Sequence, residues 1–139
     1  MRATLCAVLL GIGVLLTGAP LFAHHAFTAE FNSDKPETLK GTVTKLVWNN
    51  PHAWIHVDVK DPDGKVVEWA VEAGSPNALV RRGWRKDSLP IGSEVVIEGF
   101  VAKDGTPTLN ARNITFPDGR KLFAGSADTG APEEPTPAR

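Results

Sequence analysis

Short runs of alternating apolar and polar residues, broken by Gly, Pro, Asn and Asp, fill the middle of the chain. Leu39–Trp48 (LKGTVTKLVW) is rich in β-branched residues and stops at Asn49-Asn50-Pro51, a turn cluster that cannot continue a ladder. Ala53–Lys60 (AWIHVDVK) alternates cleanly, with Ile55, Val57 and Val59 on one face and Trp54, His56 and Asp58 on the other. Asp61-Pro62-Asp63-Gly64 predicts a hairpin turn, in which the proline presets one φ and the glycine supplies a positive one. Lys65–Glu72 (KVVEWAVE) is then the return strand. It has Val67, Trp69 and Val71 on one side and Glu68 and Glu72 as its solvent-facing row.

The period changes at Gly74-Ser75-Pro76-Asn77. Ser75 suits a helix cap, Pro76 suits the first turn, and Gly83 marks the stop, so a short helix is expected between them. Glu94–Lys103 and Thr108–Phe116 return to strand patterns, joined by a Lys103-Asp104-Gly105 turn. The expected fold is all-β with one short helix, in the order β-β-β-α-β-β. Five antiparallel strands with a helix between the third and fourth is the order of an OB-fold-like barrel. Gly41 and Gly99 suit places where such strands bend sharply.

The two ends are of another character. Met1-Arg2 is followed by an apolar stretch from Ala3 to Leu16 and a break at Thr17-Gly18-Ala19-Pro20, and Ala23 supplies a small residue for cleavage. This is the order of a signal peptide over residues 1–23, removed near Ala23, and it places the mature chain in the periplasm. The stretch is shorter than the roughly 20 apolar residues a membrane span requires, so no stable membrane insertion is expected once it is cut. Cys6 lies at the start of the stretch rather than its end, which argues against a lipid attachment there. Cleavage leaves a mature chain with neither cysteine nor methionine, so a disulfide cannot hold the domain. Residues 126–139 contain no large apolar side chain and are expected to be a disordered C-terminal tail, leaving one domain over 24–125. The formal net charge of −1 over 139 residues gives no basis for a nucleic-acid partner.

A set of short motifs runs through this domain: His24-His25-Ala26-Phe27 with Glu30-Phe31, Trp48-Asn49-Asn50-Pro51-His52, Gly74-Ser75-Pro76-Asn77, Arg82-Gly83-Trp84, Lys103-Asp104-Gly105, and Asp118-Gly119-Arg120-Lys121-Leu122-Phe123. In these the chain resembles a family of small exported bacterial proteins catalogued as a domain of unknown function. The resemblance implies a single periplasmic domain and supplies no catalytic residues.

Candidate chemistry is concentrated in the histidines. All four lie either at the expected mature start, His24 and His25, or around the second strand, His52 and His56. His52 and His56 are separated by about 13 Å along an extended chain at roughly 3.3 Å per residue, too far to share one ion directly. If cleavage follows Ala23, the α-amino group and imidazole of His24 can chelate one metal, and His25 or His52 can complete a nitrogen set. Imidazole suits copper and zinc, and the mature chain offers no soft sulfur ligand for Cu(I). Ligation needs these nitrogens deprotonated, so affinity should fall below about pH 6. Alternatively, His24 and His25 are a solvated end, His52 a turn residue, and His56 a half-exposed strand residue.

Trp48 and Trp54 flank the Asn49-Asn50-Pro51-His52 turn, and with Asn50, His52 and His56 they outline a shallow ligand-binding face. Trp69 and Trp84 read as packing residues, and Arg81, Arg82, Arg85 and Lys86 as a solvated helix face. No phosphate loop, nucleophile elbow or paired-carboxylate pattern is present, so the chain reads as a binder and not an enzyme. The expected ligand is Cu(II) or Zn(II) at His24, His25 and His52. The alternative is a metal-free module that docks an envelope protein, a glycan or a small ligand through the Trp54 face.

Overall fold

In the computed structural model, residues 27–125 are described. The expected signal peptide, Cys6, His24, His25 and the expected tail lie outside the described residues. A helical turn over 27–30 leads into β1 (Phe31–Val47), followed by β2 (Trp54–Lys60), β3 (Val66–Glu72), α1 (Pro76–Arg81), β4 (Glu94–Ala102), β5 (Thr108–Thr115) and β6 (Lys121–Phe123). The protein is mostly β, with six strands in the order β3-β2-β1-β4-β5-β6 and a further pairing of β3 with β5. Neighbours along that order are antiparallel, while β3 and β5 run parallel through Ala70–Thr108, Val71–Leu109 and Glu72–Asn110. Among the described residues no helix is long and apolar enough to cross a membrane.

The local rules act where the sequence places them. Asp61 accepts hydrogen bonds from the backbone N–H groups of Asp63 and Lys65 through Oδ1, and Gly64 takes φ +82°, which together fold the β2–β3 hairpin. Ser75 caps α1 by accepting from the Ala78 N–H, Pro76 opens the helix, and Gly83 leaves it at φ +92°. Ile55 and Val57 are buried, and Val43, Val71, Ile97, Leu109 and Ile114 complete the same core from other strands. Trp84 is 1% exposed. It packs against Phe116 and donates from Nε1 to the Phe123 carbonyl, which confirms its packing role.

Three expectations need correction. The sheet has six strands rather than five, because Pro117–Arg120 turns the chain back with Gly119 at φ +83° and lets β6 pair with β5. β1 begins at Phe31 rather than Leu39. Its polar first third leaves the regular register between Phe31, paired with Ala102, and Pro36, paired with Phe100, and is anchored at its start where Phe31 packs with Phe27 and Phe100 in a second small core. The helical turn at 27–30 is also additional to the one helix expected. Gly41 and Gly99 answer to close approach: a Cβ at Gly41 would meet the Asp58 carbonyl oxygen at 2.6 Å, and one at Gly99 would clash with the Asn110 backbone oxygen.

Candidate functional site

The alternation of β2 turns Trp54, His56 and Asp58 away from the core, and β3 presents Glu68, Ala70 and Glu72 beside them through the pairs Asp58–Glu68, His56–Ala70 and Trp54–Glu72. Glu72 was expected on a solvent-facing row with Glu68. Only Glu68 is exposed. Glu72 is 9% exposed, since it lies in the Ala70–Glu72 stretch where β3 is paired on one side with β2 and on the other with β5.

A carboxylate placed there needs partners, and it has them on both oxygens. His52 Nδ1 lies 2.5 Å from Glu72 Oε1, and Asn110 Nδ2 donates to Oε2 at 3.0 Å. His52 is held at the end of the Asn50-Pro51 turn, whose peptide bond is cis, just ahead of Ala53. Ala53 is pinned to the far side by backbone bonds to Ala73 and Gly74. Asn110 is completely buried, and its Oδ1 has no hydrogen-bond partner.

His56 repeats the motif more loosely. Its Nδ1 is 3.2 Å from Oε1 of Glu68, a side chain 63% exposed.

Glu72 and Trp54 form part of the wall of a cleft of about 450 Å³, whose other lining includes Ala29, Glu30, Phe31, Lys103 and Thr108. The helical turn is fastened there. Lys103 donates from Nζ to the Thr28 carbonyl at 2.6 Å and from its backbone N–H to the Glu30 carbonyl at 2.8 Å, and Phe27 is buried against Phe31 and Phe100.

The remaining sequence candidates are distributed elsewhere. Trp48 lines a separate apolar cleft with Leu46, Leu89 and Ile91, and Asn50 is exposed on the turn. Trp69 is partly buried against the core, as its alternation with Val67 and Val71 predicts. Arg81, Arg82, Arg85 and Lys86 are exposed, and the Arg82 guanidinium stacks 4.2 Å from the Phe123 ring centroid. Among the described residues no three His, Cys, Asp or Glu side chains converge as a metal-binding group. The sequence reading missed Glu72 and Asn110. The β3–β5 pairing that buries them joins segments far apart in the chain.

The arrangement is an imidazole backed by a carboxylate and a buried amide, beside a half-buried tryptophan. Such a group can bind a ligand atom or an ion through the nitrogen of His52 that Glu72 does not engage. No curated protein matches the chain. A family model described as a family of unknown function (DUF6152) matches residues 13–110, and the chain belongs to that family.

Proposed function

We propose that the chain is an exported periplasmic binding module of OB-like design that takes a divalent transition ion, Cu(II) or Zn(II), at His52 together with His24 and His25. In this reading residues 1–23 are removed, the mature chain begins at His24, and the domain binds without catalysing a reaction. The OB-like design is supported by the circuit of pairings β3-β2-β1-β4-β5-β3 and by α1 between β3 and β4.

The observation that carries the metal reading is the placement of the turn at 27–30. Ala29, Glu30 and Phe31 line the same cleft as Glu72, the residue that holds His52. His25 and His24 precede Phe27 by two and three residues, a reach of up to about 10 Å at roughly 3.3–3.6 Å per residue. The donor set is all nitrogen and suits these ions.

The test is protein exported without a polyhistidine tag, studied by intact mass and metal analysis. A mature mass beginning at His24 and a bound ion lost on replacing His24, His25 and His52 with Ala are expected. Unchanged occupancy in that triple variant overturns the metal reading.

A second reading, a metal-free module for an envelope protein, a glycan or a small ligand, is favoured by Trp54 standing half-buried in the cleft wall. It expects Trp54→Ala to abolish capture of the partner and chelators to have no effect.

A further inference from the structure

We propose that Glu72 and Asn110 are positioning residues that fix His52 as the Nδ1–H tautomer and thereby present its Nε2 lone pair to the incoming divalent ion. The identity of the ion rests on the function proposed above; the tautomer does not.

The deduction runs through donors and acceptors. An ionised carboxylate accepts and never donates. Glu72 Oε2 accepts a hydrogen bond from Asn110 Nδ2, and Oε1 lies 2.5 Å from His52 Nδ1, so in the neutral ring the proton sits on Nδ1 and the lone pair on Nε2. Asn110 fixes the carboxylate in turn. Its side chain is fully buried and Oδ1 has no partner, so the amide forgoes one acceptor bond, yet its NH2 group meets Glu72. Turning the amide over would set Oδ1 against a carboxylate oxygen, two acceptors with no proton between them. Both ends of Glu72 are therefore committed, and the carboxylate cannot swing away from His52.

A carboxylate on the far nitrogen orients an imidazole ligand and raises its basicity, and losing such a partner weakens metal affinity by roughly 10–100-fold. His56 is the internal contrast. Its carboxylate partner Glu68 is 63% exposed and 3.2 Å away, and it lies outside the His52–Glu72–Asn110 chain.

The measurement is a long-range proton–nitrogen correlation spectrum of the histidine rings in metal-free mature protein under mildly basic conditions, followed by titration with Zn(II) alone. Wild-type His52 should show a protonated Nδ1 and a bare Nε2. Glu72→Ala removes the acceptor outright, so its His52 nitrogens should move toward the averaged values of a free ring and its Zn(II) affinity should fall roughly 10–100-fold. Asn110→Ala, the milder variant should Glu72→Ala fail to fold, should shift both readouts in the same direction by less. Glu68→Gln should move neither.

Unaltered His52 nitrogen shifts in folded Glu72→Ala or Asn110→Ala overturn the inference. So does a changed tautomer with unchanged Zn(II) affinity. If His52→Ala binds Zn(II) as wild type does, the proposed metal reading fails, and the metal-free spectra still decide the tautomer.

Discussion

Gly99 faces the Asn110 carbonyl across the β4–β5 ladder at a register shift, with no room for a methyl group. Gly99→Ala should therefore destabilise the domain by about 1–3 kcal/mol through overpacking, read from the denaturant midpoint at constant slope. Because Asn110 is the residue displaced, the same variant should disturb His52. Glu98, one position earlier, is a carboxylate held below its ordinary range, first by its hydrogen bond to Lys121, and then by Asn113 and the nearby positive charges of Lys121 and Arg112. A depressed carboxylate pKa adds stability above the ordinary range, and that share is lost as pH falls through the folded-state value. Glu98→Gln should thus be less stable than wild type at neutral pH, with the gap closing on acidification. Salt should narrow it too, as the pair is partly exposed. At this scale the candidate site was half legible. Four histidines in two places drew attention to His52, and alternation put Glu72 on the right face. That face being covered at Glu72 depends on β5, 36 to 43 residues further along, and no local pattern carries it.

At the scale of elements, strands with a local cause were the readable ones. β2, β3, β4, β5 and α1 lie within a residue or two of their alternation and capping limits, because hairpin turns and Ser75-Pro76 act over neighbouring residues. The first third of β1 was hidden, since Asn32-Ser33-Asp34-Lys35-Pro36 has the composition of a loop. It is held by its flank: Phe27 stacks on Phe31 at 5.5 Å and meets Phe100 edge-on at 5.6 Å. Phe27→Ala should remove about 3 kcal/mol or somewhat less, at the low end for a buried phenylalanine because the cluster is small. It should also raise hydrogen exchange at the Lys103 amide, which bonds Glu30, before exchange elsewhere increases. If the proposed metal set is correct, the variant should lose Zn(II) affinity as well.

For the whole molecule, the order of elements along the chain carried the number of central strands and the place of the helix, whereas the parallel partnership of β3 with β5 and the presence of β6 came only from the three-dimensional pairing. The family match ends at Asn110, in the middle of the structural unit. Ile114, Phe116 and Ala124 beyond it are core residues, and the Gly74 N–H bonds to the Ala124 carbonyl. A chain ending at Asn110 should fail to show a cooperative thermal transition, which circular dichroism on heating would check. The unequal burial of the tryptophans has an optical consequence. Trp84, sealed in the core, emits as a gauge of the global fold, while Trp54, in the wall of the cleft that Glu72 shares, stands where a paramagnetic ion would quench it. Of the four tryptophans, Trp84 thus reports unfolding and Trp54 would report occupancy of the proposed site, and the difference between wild type and Trp54→Phe isolates the Trp54 trace.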